Sequence, residues 1–160
     1  TSIAIPAGAT PPEDISIVLT SHYSFLDFGN PTGTWYSEGA ITSNGDLDSV
    51  PKHFGAGWPH GIGFQTAHVI EVISDENGSI TISTNAHGFE FTPDYDSAIH
   101  GEDCTEGYDE YYHGTGNWVI LSGTGDYAKL HGQGKATLQG CANWGALFMT
   151  TTGNYDGRVH

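Results

Sequence analysis

The stretch Trp118-Val-Ile-Leu-Ser-Gly-Thr-Gly-Asp-Tyr-Ala-Lys-Leu-His-Gly-Gln-Gly-Lys-Ala-Thr-Leu-Gln-Gly140 has the pattern of two strands joined by a tight, glycine-rich connection. The apolar run at 118–121 is typical of a strand. Glycine at 123 and 125 favours a turn, because glycine adopts positive φ without a steric penalty. Beyond the turn, residues 135–139 alternate polar and apolar, which predicts a second strand with Ala136 and Leu138 on the buried face. Tyr127 and Leu130 are expected to pack under the connection as an apolar plug.

This connection is similar to a known signature. Residues 123–134 resemble the Gly-Thr-Gly-x-Phe/Tyr-x-x-x-x-Gly-x-Gly pattern of the allene oxide cyclase-like barrels, and residues 151–160 resemble the last strand of that group. Plant dirigent proteins and many small secreted bacterial proteins belong to the same group. The resemblance implies an eight-stranded antiparallel barrel. It also implies a protein that holds a reactive small molecule and steers its cyclisation or coupling by shape.

The rest of the chain supports an all-β fold. Segments 15–26, 62–73 and 79–91 alternate with period two, and turn residues such as Asn77-Gly78 separate them. The alternation changes parity between Thr84 and Gly88, which predicts a β-bulge. We predict an extended arm at 1–14 and one antiparallel eight-stranded barrel at 15–160, with long loops at 47–61 and 92–116 near its mouth.

The excess of acidic residues excludes some classes of binding partner. The chain has 19 acidic residues, only 4 Lys and Arg, and a formal net charge of -15. Nucleic acid and anionic membrane surfaces are therefore poor partners, because both require clustered basic residues. No apolar stretch is long enough to span a bilayer. A first residue other than Met and a lead rich in Pro, Ala, Gly and Thr indicate a secreted, extracellular chain.

The two cysteines, Cys104 and Cys141, are compatible with a disulfide in an oxidising compartment. Two unpaired small residues are the alternative. The closed loop would stabilise the fold by about 3 to 4 kcal/mol in the chain-entropy model.

Because side chains alternate between the two faces of a strand, the sequence predicts which residues face the barrel interior. If residues 62, 64, 66, 68, 70 and 72 share the inward face, His68 lies inside among apolar neighbours. A lone His or carboxyl in such an interior can have a shifted pKa and act as an acid or base. The candidate catalytic residues are His68, Glu90 and Tyr23. The candidate ligand-binding residues are Trp118, Tyr155, Phe64 and Trp58. A packed core in which these side chains are merely hydrogen-bonded is the structural alternative.

The segment 92–116 is the most acidic part of the chain and could bind Ca²⁺ through carboxylate oxygens. The first-choice ligands are Asp94, Asp96, Glu102 and Asp103. Their spacing does not match an EF-hand, so a solvated acidic loop is the competing interpretation. The nine histidines include no helical metal-binding pair, and no other cofactor motif is present.

Two functions from different classes follow. The first is an extracellular, cofactor-free barrel that binds a small apolar or phenolic molecule and steers its cyclisation or coupling, as an isomerase-like enzyme would. The second is a structural protein that assembles into homo-oligomers through residues 1–12, which alternate Ile3 and Ile5 with small or polar neighbours. The sequence alone does not decide between them.

Overall fold

The computed structural model describes residues 11–24, 26, 30–55, 65–93, 110–143, 145–146 and 148–160. These residues form eight strands, and a short 3-10 turn at Gly125–Tyr127 lies between the sixth and seventh. The strands are β1 (Glu13–Ser24), β2 (Thr32–Gly39), β3 (Ser43–Gly55), β4 (Thr66–Asp75), β5 (Gly78–Thr92), β6 (Glu110–Gly123), β7 (Gly132–Asn143) and β8 (Phe148–Val159).

The eight strands form one closed antiparallel barrel in chain order. Each strand pairs with the next, and β1 pairs with β8 from Glu13 opposite Val159 to Ser24 opposite Phe148. The predicted eight-stranded antiparallel barrel is therefore confirmed. Because the ring is closed, none of the described strands presents a free edge to solvent.

The connection between β6 and β7 is held against the neighbouring β4–β5 turn. Gly125 has a φ of 59°, and a Cβ there would lie 2.1 Å from the Asn77 carbonyl oxygen, so only glycine fits. The Asp126 amide donates to that same oxygen at 3.0 Å. Tyr127 is buried and Leu130 packs against the core, which confirms the predicted plug.

The interior is filled in the half of the barrel that contains these short turns. Ile17, Leu47, Ile73, Ile80 and Ile82 are almost fully buried there, in the period-two pattern expected for strands with one face inward. In β7, Ala136 and Leu138 are buried and Lys135 and Thr137 are exposed, as the alternation predicted.

Two predicted loops are in part strands. Residues 43–55 form β3, although 47–55 were expected to be part of a long loop. The strand was not predicted because proline is uncommon within strands. The register of β3 against β4 shifts between Pro51 and His53, and such an irregularity tolerates a residue without an amide hydrogen. The segment 110–116, assigned to the acidic loop, is the start of β6.

Candidate functional site

A cavity of about 60 Å³ lies inside the barrel at the end opposite the short turns. At this end, which we call the mouth, β1, β3, β5 and β7 finish and β2, β4, β6 and β8 begin. The wall is mainly apolar, with a few hydroxyl groups and one carboxyl group. Its described lining comprises Ser21, Pro31, Ser49, Pro51, Ala67, Val69, Glu71, Phe89, Tyr112, Leu138, Met149 and Thr151.

Glu71, on β4, carries the one carboxyl group among the described lining residues, and its side chain is buried. It lies inward because Ala67, Val69 and Ile73 share its face of the strand. The filled half of the core begins one inward position further along β4, at Ile73. The carboxyl group therefore lies at the boundary between the cavity and the packed core.

Hydroxyl groups on two other strands fix the orientation of this carboxyl. The Tyr155 hydroxyl on β8 donates to Glu71 Oε1 at 2.8 Å and to Oε2 at 2.9 Å. Thr84 Oγ1 on β5 donates to Oε2 at 2.7 Å and lies 3.2 Å from the Tyr155 hydroxyl. Tyr155 and Thr84 are both completely buried. These contacts join the consecutive strands β4 and β5 to the distant strand β8 in one polar cluster.

Burial raises the pKa of Glu71 from 4.5 to about 7, although the hydrogen bonds from Thr84 and Tyr155 oppose the rise. The pKa of Tyr155 is raised well above its ordinary value by burial and by the negative charge of Glu71. Tyr155 therefore stays neutral and remains a donor. A carboxyl group that titrates near neutral pH can both accept and return a proton.

Glycines position the aromatic residues of this cluster. A Cβ at Gly153 would lie 2.5 Å from the Tyr155 ring, so the ring occupies the space that a side chain at 153 would need. Gly157 and Gly134 make room for Trp118 in the same way, with Cβ distances of 2.5 and 2.7 Å. The Trp118 and Tyr155 rings lie 6.3 Å apart. The glycines of β7 and β8 thus make room for two large aromatic rings, of which Tyr155 contacts the carboxyl.

Tyr112 forms another part of the wall. Its ring packs against Phe91 at a centroid distance of 5.3 Å and against Phe89 at 6.2 Å. Its hydroxyl donates to the Thr150 carbonyl oxygen at 3.1 Å and also contacts the Thr151 hydroxyl. Burial raises the pKa of Tyr112, so this residue is also neutral at the cavity wall.

Three of the residues nominated from sequence lie on the inward-facing side of their strands. Tyr155 and Trp118 are buried in the layer below Glu71. Tyr23 is half-buried and packs against the core, on the same face of β1 as Ile17 and Leu19. Of these three, Tyr155 is the residue that contacts the buried carboxyl.

The predicted inward positions of His68 and Glu90 are wrong. His68 faces outward on β4, where its Nε2 lies 3.0 Å from the Ser83 hydroxyl. Glu90 is exposed, with its Oε2 3.7 Å from His113 Nε2. The predicted bulge in β5 exists, but the register shift lies between His87 and Glu90, at a Gly88 with a φ of 65°. That shift brings Phe89 inward and leaves Glu90 outside.

Several predicted residues lie outside the described part of the chain. These are Trp58, Phe64, Cys104 and the four proposed calcium ligands Asp94, Asp96, Glu102 and Asp103. Cys141, on β7, is buried beside Tyr111 on the outer side of the barrel. The Cys104–Cys141 disulfide and the calcium site stay predictions.

Among the described residues, no group of three or more His, Cys, Asp or Glu side chains is arranged to hold a metal ion. Within the same part of the chain, no helix is long and apolar enough to cross a membrane.

Comparison with known proteins gives no relative: no family model, no curated protein and no solved structure matches this chain. The structure alone therefore defines the class of protein: a closed antiparallel eight-stranded barrel with a carboxyl-containing cavity at its mouth. The resemblance to the allene oxide cyclase-like group stays a prediction from the glycine-rich connection and the last strand.

Proposed function

We propose that this protein binds a small molecule with an apolar or phenolic body at the mouth of its barrel, and that Glu71 meets the inserted end of that molecule. The observation that carries the proposal is a buried carboxyl with a pKa near 7, which lines a largely apolar cavity inside a closed barrel. Perturbed ionisable groups in apolar concavities are typical of functional sites.

The size of the cavity limits what enters it. About 60 Å³ accommodates a few water molecules or a small functional group, and it is too small for a whole aromatic molecule. We therefore expect the ligand to insert one end and to leave its larger part at the mouth. A rigid wall then restricts the orientation of the ligand.

The chemistry available to such a site is proton transfer. Glu71 would act as general acid or base, while Tyr155 and Thr84 hold its carboxyl in place. Many isomerisations need a proton to be moved and a conformation to be imposed, and both can occur without a cofactor. We also propose that the protein acts outside the cell, and this part rests on the sequence alone, through the Pro-, Ala-, Gly- and Thr-rich segment 1–12 and the two cysteines.

Calorimetric titration with p-cresol, a small phenolic probe, tests the binding proposal. Ala67 is buried in the cavity wall, so Ala67→Leu should fill the cavity and weaken binding at least tenfold. The matched control is Thr115→Leu on the exposed face of β6, which should bind like the unmodified protein. Failure of p-cresol to bind, or equal binding by Ala67→Leu at unchanged thermal stability, would contradict the proposal.

The competing function, assembly through residues 1–12, has no specific support in the described part of the chain. Residues 1–10 lie outside it, and the closed sheet has no free edge to which a neighbour's arm could add as a strand. Homo-oligomer formation stays a prediction of the sequence.

A further inference from the structure

We infer that the Glu71 cavity selects a ligand whose inserted end is a protonated amine, an inference that rests on the proposed small-molecule function. The part of the ligand that enters the barrel would be a small ammonium group, attached to an apolar body.

The first argument is that none of the described residues supplies a cation to this carboxyl. The chain has only four Lys and Arg residues, and all four are exposed: Lys52, Lys129, Lys135 and Arg158. Lys135 donates to Asn117, and Arg158 pairs with Asp14. The described lining of the cavity contains no Lys, Arg or His. A buried carboxylate without a positive partner is costly, so a ligand that brings the missing charge gains the energy of that pairing.

The second argument is the number of acceptors. Glu71 Oε2 accepts hydrogen bonds from Thr84 and Tyr155, whereas Oε1 accepts from Tyr155 alone, which leaves it acceptor capacity. Ser21, Ser49 and Thr151, whose side chains carry hydroxyl groups, are also among the lining residues. An ammonium group has three donors and no acceptor, so it matches this set. An alcohol offers one donor, and a ligand carboxylate would be repelled.

The third argument is size. A cavity of about 60 Å³ has room for an ammonium group with its attached carbon and for little more. The apolar wall, with Val69, Phe89 and Met149, would then contact the first carbons of the ligand.

Among the described residues, one group governs the charge state of the site. Around Glu71, Thr84 on β5 does not ionise, and Tyr155 on β8 and Tyr112 on β6 have pKa values raised by burial. The other described lining residues, on β1, β3, β4, β5, β7 and β8, carry no titratable side chain. Amine binding should therefore follow the ionisation of Glu71, and protonation of this carboxyl should weaken it.

The experiment compares benzylamine with benzyl alcohol, which have nearly the same shape but differ in the charged donor. Titration calorimetry at about 0.15 M salt, which screens the general attraction of an acidic protein for cations, gives both affinities from pH 5 to pH 8. We expect benzylamine to bind at least tenfold tighter than benzyl alcohol at pH 8. Its affinity should fall about tenfold for each pH unit below the pKa of Glu71, while that of benzyl alcohol stays level. Glu71→Gln should remove the preference, and the exposed control Glu90→Gln should keep it.

Proton release provides a measurement that does not require a variant to fold. At pH 7 benzylamine should displace the proton from Glu71, so its binding heat should differ between phosphate and Tris buffers, while that of benzyl alcohol should not. If benzyl alcohol binds and benzylamine binds no better, the amine inference fails and the proposed function stands. If neither benzyl ligand binds but p-cresol does, the amine inference fails and the proposed function stands, and if none of the three binds, both fail. A preference that survives in Glu71→Gln would also overturn the inference, because the charge would then be recognised elsewhere.

Discussion

The Tyr155 hydroxyl donates to both oxygens of the Glu71 carboxyl, at 2.8 and 2.9 Å, although the two residues are 84 positions apart in the chain. Their strands, β4 and β8, are not neighbours in the barrel, so the contact spans its interior. It fixes the one described carboxyl that faces the cavity, and it depends on the empty space at Gly153. The properties of Glu71 should therefore respond to changes on the opposite wall.

Tyr155→Phe should raise the pKa of Glu71 above its value of about 7, because the lost hydrogen bond stabilises the ionised carboxylate. The free energy of unfolding should fall by about 1 to 3 kcal/mol, since a buried acceptor loses its donor. Carbon-detected NMR titration of the glutamate carboxyl groups measures the pKa. Tyr112→Phe removes a buried hydroxyl that does not contact Glu71 and serves as the control. An unchanged pKa in Tyr155→Phe would show that the contact does not control ionisation.

The buried carboxyl should also make stability depend on pH. The pKa of Glu71 is about 7 in the folded protein and 4.5 as its ordinary value, so the contribution to stability is present below pH 4.5 and is lost as pH rises through 7. The difference corresponds to roughly 3 kcal/mol. Urea unfolding of the unmodified protein and of Glu71→Gln across this range should show the gap between them change with pH. The exposed variant Glu90→Gln should track the unmodified protein, and a pH-independent gap for Glu71→Gln would contradict the assignment.

Gly153→Ala tests whether space on β8 positions Tyr155. The new methyl group would lie 2.5 Å from the Tyr155 ring and 3.0 Å from Leu138, so the ring must move. We expect about 1 to 3 kcal/mol of destabilisation, together with a further rise in the pKa of Glu71 as the hydroxyl leaves it. Gly132→Ala is the matched control, because its methyl group would press on Val159 and leave Tyr155 in place. Equal pKa values in the two variants would remove the positioning role of Gly153.

The sequence predicted the architecture because local signals agreed. The glycine-rich connection, the Asn77-Gly78 turn and the alternation of β1 and β7 each depend on neighbouring residues, and all of them favour an antiparallel sheet. Strand parity also placed Tyr155 and Trp118 in the interior, and both are buried.

The key acid was missed for a physical reason. Apolar residues occupy both faces of β4, and a face chosen from Ile70 and Val72 places His68 inside and Glu71 outside. The hairpin contained the correct signal: a two-residue turn at 76–77 pairs Ile73 with Ile80 and Glu71 with Ile82. Opposed residues share a face, so the inward Ile80 and Ile82 require an inward Glu71. The contact with Tyr155 could not be inferred, because it depends on the diameter and closure of the barrel.

The predicted disulfide remains open to a direct test. Cys141 is buried on the outer side of β7, so its partner must reach that side of the barrel. Mass spectrometry of a non-reduced digest should show the Cys104 and Cys141 peptides joined, and reduction should lower stability by about 3 to 4 kcal/mol. A digest in which alkylating reagent labels both thiols without prior reduction would exclude the bond and weaken the argument for an extracellular protein.

The last prediction concerns the filled end of the barrel, where Asp75 joins three turns. Its carboxyl accepts hydrogen bonds from the hydroxyl groups of Ser43 and Tyr127 and from the amides of Asn77 and Gly78. Burial disfavours the charge, but these donors outweigh burial and lower the pKa from 3.8 to about 2. The stabilisation is therefore present above pH 3.8 and is lost as pH falls through 2.

Asp75→Asn should accordingly melt at a lower temperature than the unmodified protein at pH 6, and the difference should shrink as the pH approaches 2. Tyr127→Phe should reproduce part of the effect, because it removes one of the four donors. Asp126→Asn, an exposed acid in the same group of turns, should change the melting temperature little. Melting curves recorded by circular dichroism from pH 2 to pH 6 measure all three variants. A deficit in Asp75→Asn that stays the same down to pH 2 would mean that the amide disrupts packing, and that the charge of Asp75 does not hold the turns together.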